Sequence, residues 1–272
     1  MNLFGGLSWS LLSAILAIDL LSSGLAAFKW KLLLPQVSFG RVLSVSLLGR
    51  FYSFVLPGQI VGESLKAYYL GRKEKNLELV ATSIVFDKLT GIAGLLITGS
   101  VGVLFSQRQV PLAVPGVFVS LMVFVVLIFF SFNASFFQQG MKRLGWQVSA
   151  GSFRAYASDK KLLMGQIVLG ILYQMTGVWI GWLFGMAFGI PLAVADYCWV
   201  FAAVFLALIL PVTIAGLGIR EGAFIGLLGW LGTEREKALA LSLAFFGVQV
   251  VDAALGGIFL LKETCQRSLK RR

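Results

Sequence analysis

Hydrophobic residues in this chain run on in long uncharged blocks, separated by short clusters of basic residues. Several blocks exceed the roughly 18–20 residues that span the hydrocarbon of a bilayer. The longest, Leu162 to Ala195, contains no charged side chain. The pattern predicts five apolar helices. The first covers about Leu3–Phe28, with Asp19 its only charge, and is followed by a loop holding Lys29, Lys31 and Arg41. The second covers about Leu79–Phe105 and carries Asp87-Lys88. The third follows a short loop with Arg108, Pro111 and Pro115 and ends near Phe132. The fourth runs over about Leu162–Phe188 and turns at Gly189-Ile-Pro191. The fifth opens at Glu234-Arg-Glu-Lys237, holds Asp252 and ends near Leu261.

Two further apolar stretches are interrupted. Leu210-Pro-Val-Thr-Ile-Ala-Gly-Leu-Gly-Ile-Arg-Glu-Gly222 places a proline, glycines and an Arg-Glu pair inside a sequence otherwise fit to cross a bilayer. Leu56-Pro-Gly-Gln-Ile-Val-Gly-Glu-Ser-Leu-Lys66 has the same outline. Set without gaps, Leu56/Leu210, Pro57/Pro211, Ile60/Ile214 and Gly62/Gly216 coincide, and Lys66 falls on Arg220. Freed backbone and charge are tolerated at membrane depth only where protein or a water-filled cavity receives them. The broken elements span about Val42–Leu70, with Arg50 in its first arm, and about Leu192–Leu231.

Loop charge decides whether these elements cross the membrane or return to the side they entered. If both return, the segments 29–41, 66–75, 133–161 and 262–272 share one side and hold 17 of the 23 Lys and Arg. The other side receives Arg108, Arg235 and Lys237. If both cross, the asymmetry disappears. Because cytoplasmic loops carry an excess of Lys and Arg, the expectation is re-entrant hairpins, with the N-terminus outside and the C-terminus cytoplasmic. The fold class is therefore an all-α polytopic membrane protein: about five full transmembrane helices plus two opposed re-entrant helical hairpins in an inverted repeat. As a single domain over 1–272, it divides into repeat one (about 3–105), a linking helix (about 110–132), a cytoplasmic loop (about 133–161), repeat two (about 162–261) and a basic tail (262–272). Inverted repeats whose breaks meet near the midplane are found in many transporters.

Composition narrows the function classes. The chain is 58% hydrophobic and 13% charged over 272 residues, with a mean hydropathy of +0.88. It has no histidine, which excludes a His-ligated zinc site and a Ser-His or Cys-His nucleophile. Cys198 and Cys265 lie far apart and imply neither a disulfide framework nor a metal cluster. No metal and no cofactor is expected. A net charge of +11 is explained by topology-fixing loops and anionic lipid; without an aromatic-interleaved basic motif, no nucleic-acid partner is expected. The start Met1-Asn-Leu-Phe-Gly lacks a basic n-region and reads as the beginning of the first helix rather than a removable signal.

The candidate chemistry sits at the breaks. Pro57 and Pro211 end the first arms, while Gly58, Gly62, Gly216 and Gly218 allow the reversals and shape the site. Each second arm then turns free N–H groups and a positive dipole end inward. Lys66 and Arg220, each nine residues past its proline, add full charges. Two such ends form a receptor for a lipid phosphate. The alternative roles are structural: Arg220 pairs with a carboxylate and Lys66 snorkels to the inner surface. Glu63 is three residues from Lys66 and can neutralise it. Arg220 and Glu221 are expected to point about 100° apart, so Glu221 either receives a lipid amine or bonds donors on other helices. Asp87-Lys88 is either an ion-coupling site or a partner of Arg50 or Lys66. Asp19 and Asp252 read as helix-packing carboxylates. The glycines of the fourth helix, Gly170 to Gly189, read as close helix packing.

Leu56–Lys66, Phe86-Asp-Lys88 and Leu210–Glu221 resemble the transmembrane region of lysylphosphatidylglycerol synthases, along nearly the whole chain. That resemblance implies a flippase-like protein that moves a phospholipid or polyisoprenyl-phosphate-linked lipid between leaflets. It implies a bacterial or archaeal cytoplasmic membrane and, without an aminoacyl-transferase domain in this sequence, no lysyl transfer. Relatives often have Arg at Lys66, Glu-Arg at Asp87-Lys88 and Pro-Gly at Ile214-Ala215. The first two differences keep charge type; the third alters the second turn. Membrane phospholipid or a lipid-linked saccharide is the expected partner, with a homo-oligomer or an envelope-biosynthesis partner also open. A flippase or scramblase is the leading reading. A lipid-modifying enzyme, a non-transporting partner of a cell-envelope glycosyltransferase and a small-solute transporter are the alternatives.

Overall fold

A computed structural model describes residues 6–56, 59–131, 139–140, 143, 148–209 and 216–269. Pro57, Gly58, Pro211 and the rest of 210–215 lie outside the described residues. The described elements are α-helices: α1 (Trp9–Leu33), α2 (Phe39–Val55), α3 (Gln59–Glu74), α4 (Leu77–Phe105), α5 (Ala113–Ser131), α6 (Ala150–Ser158), α7 (Lys160–Ala187), α8 (Val194–Ile209), α9 (Ile219–Trp230) and α10 (Arg235–Leu269). Polar side chains fix several starts by accepting orphan N–H groups. Ser8 caps α1, Asn76 caps α4 and Asp159 caps α7.

Among the described residues, four helices are long and apolar enough to cross a membrane: α1, α4, α7 and α10 up to Leu260. α5, the fifth expected span, is a 19-residue helix. Large apolar side chains such as Leu20, Val119, Phe124 and Leu127 are exposed on these helices, as a lipid solvent requires and water does not favour.

The boundaries correct the sequence reading in three places. α1 continues past Phe28 to Leu33, because nothing breaks the helix before Pro35; Lys29 is therefore helical rather than in a loop. The polar connection contains α6, which buries Phe153 edge-on to Phe86 at 5.2 Å. α10 continues past Leu261 to Leu269, since no proline or glycine interrupts 262–269.

Each broken element is an antiparallel hairpin of two helices. In the first, a Cβ at Gly62 would overlap Ser53 Oγ and the Gly49 carbonyl, so α3 runs back along α2. In the second, Phe201 of α8 packs on Phe224 of α9 at 5.1 Å, and Gly216 adopts φ +77°, a left-handed conformation suited to glycine. The hairpins are exchanged between the two halves. α2 packs antiparallel on α10, through Arg50–Asp252 and Phe54–Phe246. α8 packs antiparallel on α4, through Gly102 against Cys198 and Gly99 against Ala202. α1 lies along α7, where Gln166 Nε2 donates to the Lys29 carbonyl at 2.7 Å. Each first arm thus contacts the last helix of the other unit, the reciprocal packing of an inverted repeat.

The helix ends fall into two groups. At one end Tyr156 donates to the Leu33 carbonyl (2.8 Å) and Arg41 pairs with Glu74 (2.7 Å). At the other, Arg108 donates to the Leu231 carbonyl (2.9 Å) and Ser106 to Asp196 (2.6 Å). Most basic loop residues belong to the first group.

Candidate functional site

The inner ends of both hairpins border one cavity of about 390 Å³. Ser53, Phe54 and Glu63 reach it from the first hairpin, Leu208, Ile209 and Gly216 from the second. Its lining carries four cations, Lys29, Arg50, Lys66 and Lys88, against three carboxylates, Glu63, Asp87 and Asp252. The wall is therefore polar and positive in balance, inside a bundle whose outer surface is apolar.

The charges sit in three groups. Glu63 Oε1 receives both Lys66 Nζ (3.0 Å) and Lys88 Nζ (2.8 Å). The ammonium of Lys66 also lies 5.7 Å from the Trp30 ring centre. An ammonium has three donors, and the bond described for each lysine goes to this one carboxylate. The Lys88 side chain is half exposed while that of Lys66 is largely enclosed, so Glu63 holds one accessible and one sheltered ammonium. The second group is closed. Lys29 Nζ donates to Asp87 Oδ1 (2.7 Å), the Asp87 carbonyl (2.6 Å) and Thr90 Oγ1 (3.0 Å). In the third, Arg50 Nη1 donates to Asp252 Oδ2 (2.6 Å) and to Ser23 (2.8 Å).

Arg220 is placed differently from Lys66. It is fully buried, is not among the residues lining the cavity, and lies 4.9 Å from the Phe246 ring centre. Arg220 Nη1 donates to Gln249 Oε1 at 2.6 Å, and Gln249 lines the cavity. The guanidinium thus stands one residue behind the wall. Glu221 meets it after all, at 3.2 Å; the length of the two side chains offsets the roughly 100° between neighbouring helical positions. Glu221 also accepts from the Gly218 N–H (2.5 Å) and Ser242 Oγ (3.4 Å). It therefore caps α9 and holds its neighbour, and the second arm carries its own counter-anion at the N-terminus. Gly218, at φ +87°, makes that turn.

Asp87 and Lys88 are separated by their partners: Asp87 binds Lys29 rather than Arg50 or Lys66, and Lys88 joins Glu63. Sequence reasoning missed Lys29, Trp30 and Gln249. The usable signal for the first two was the uninterrupted helix up to Pro35. Gln249 had none, as one amide among apolar residues. Among the described residues, no group of three or more Cys, Asp or Glu is placed to hold a metal ion.

A family model for the lysylphosphatidylglycerol synthase TM region matches residues 1–256. The chain belongs to this family. As a member of the lysylphosphatidylglycerol synthase TM family it is a multi-pass membrane protein, and membership points to a lipid-related role. No curated protein and no solved structure matches it.

Proposed function

We propose that this protein carries an anionic phospholipid or polyisoprenyl-phosphate-linked lipid between leaflets, with the head group in the cavity and the acyl chains in the bilayer. The observation that carries this reading is the Lys66–Glu63–Lys88 cluster, positive by one charge, in a cavity between two hairpin ends. Burying a phosphate among apolar helices is costly unless charge-assisted hydrogen bonds replace water. Two lysines held by a shared carboxylate offer such bonds without reorganisation. Arg220 serves the same site from behind by fixing Gln249, and belongs to the binding machinery on that ground. In a bilayer the hairpins are re-entrant, and the end bearing Lys31, Arg72, Lys73, Lys160 and Lys161 faces the cytoplasm of a bacterium or archaeon.

Native mass spectrometry of purified protein with added anionic lipid tests the binding step. Lys66→Ala and Lys88→Ala should each weaken retention by about 1–3 kcal/mol, the scale of a charged hydrogen bond. Lys237→Ala, whose partner Glu234 lies at the opposite end, should not. Equal retention by all three variants would remove the site.

A further inference from the structure

The charges in the cavity wall limit the head group that it can take. Of the ionic side chains lining it, two cations are each matched by a carboxylate of their own. Lys29 Nζ meets Asp87 Oδ1 at 2.7 Å, and Arg50 Nη1 meets Asp252 Oδ2 at 2.6 Å. Lys66 and Lys88 share the remaining carboxylate, Glu63, at 3.0 and 2.8 Å. Among the described lining residues one positive charge is therefore left over, and it belongs to the lysine pair. The other polar groups of the lining, Ser46, Ser53, Tyr173, Gln174 and Gln249, carry no full charge. Arg220 and Glu221 balance one another behind the wall, and Asp19 is not among the described lining residues. The stretches 57–58 and 210–215, between the hairpin arms, hold no charged residue.

We propose that the cavity selects a head group with a single negative charge, a phosphodiester, over phosphomonoesters and diphosphates, and that Glu63 sets this preference. The proposal deepens the head-group reading above and rests on it. A phosphodiester keeps one ionised oxygen, because its second acid group is esterified. A phosphomonoester carries about −1.5 to −2 at neutral pH, and a diphosphate diester carries one charge on each phosphorus. A monoanion beside Lys66 and Lys88 brings the wall to neutrality. A second negative charge meets only cations that already hold a carboxylate, and an uncompensated charge withdrawn from water is costly. Glu63 fixes the count, because without its charge the two lysines would match a dianion instead. It is thus a specificity-determining residue rather than a mere anchor for Lys66. Among polyisoprenyl lipids, a sugar joined through one phosphate fits the wall; a free phosphate or a diphosphate link does not.

Native mass spectrometry of the full chain tests this with three lipids of identical acyl chains. These are phosphatidylmethanol, a phosphodiester; phosphatidic acid, the same molecule without the methyl cap; and diacylglycerol diphosphate. The measurement is made at about pH 8, above the second phosphate pKa of about 6. The wild type should retain phosphatidylmethanol at least about tenfold more strongly than phosphatidic acid, and the diphosphate least. Equal or reversed retention would overturn the proposal and leave the head-group reading standing. Retention of none of the three above uncharged diacylglycerol would overturn both. Folded Glu63→Gln should shift the ratio toward phosphatidic acid by about tenfold, and an unchanged ratio would overturn the proposal. Should that variant fail to fold, the wild-type order alone supports or overturns it. In folded Lys66→Ala/Lys88→Ala the preference should disappear; its persistence would place the selection elsewhere and overturn the proposal.

Discussion

Replacing Asp87 by alanine should destabilise the bundle more than replacing its partner Lys29. Lys29 is the more enclosed of the two, with a side chain 6% exposed against 23% for Asp87. All three of its ammonium donors have acceptors, two of them from Asp87 itself. Asp87→Ala leaves that ammonium with a carbonyl and a hydroxyl but no counter-charge. Removing one member of a buried ion pair costs about 3–5 kcal/mol. Lys29→Met leaves a carboxylate that borders the cavity and can take up water, so about 1–3 kcal/mol, the cost of an incompletely satisfied polar group, is expected. The double variant Lys29→Met with Asp87→Leu removes both charges and should lie within about 1 kcal/mol of wild type, since apolar replacements of whole pairs are often neutral. The assay is equilibrium unfolding in mixed micelles, analysed as a double-mutant cycle. A double variant no more stable than Asp87→Ala, or a Lys29→Met loss equal to the Asp87→Ala loss, would refute the asymmetry.

Gly62→Leu should cost at least about 2 kcal/mol or abolish folding, because a side chain there meets the Gly49 backbone as well as Ser53; thermal unfolding in detergent reads it, and an unchanged midpoint would mean that the hairpin arms separate easily. Arg220→Lys should lose the fork that joins Gln249 to Glu221 and lower stability by about 1–3 kcal/mol, whereas Lys66→Arg should be tolerated at the more open position. Single cysteines introduced at Lys73 and Lys160 should label from the same side of sealed vesicles, and one at Arg108 from the opposite side. Labelling of position 73 together with 108 would contradict the re-entrant first hairpin.

The sequence made the hairpins legible because proline and glycine act locally. A proline within a helical run frees backbone groups, and two such runs at matching offsets imply two equivalent turns. The two-sided distribution of Lys and Arg added an expected topology, which is a property of the whole chain rather than of any contact. Partner choice was not legible. Asp87 and Lys88 are adjacent in sequence, yet helical geometry sends them to different neighbours, Lys29 on α1 and Glu63 on α3. Nothing in the residue types distinguishes Lys29 from Arg50 as the partner of Asp87; only the crossing of α1 over α4 does. The equal offsets of Lys66 and Arg220 from their prolines suggest equal roles, but the carboxylate near each cation is placed differently. Glu221 beside Arg220 closes the second arm on itself, whereas Glu63, one turn before Lys66, is shared with Lys88, and all three line the cavity.

Leaflet exchange of a labelled anionic phospholipid, in liposomes holding the purified protein, tests the central claim most directly. Wild type should exchange it well above empty liposomes, Lys66→Ala/Lys88→Ala should fall close to the empty-liposome rate while remaining folded, and Lys237→Ala should match wild type. Exchange by the double alanine variant at the wild-type rate would contradict the claim that the lipid head group crosses through this cavity.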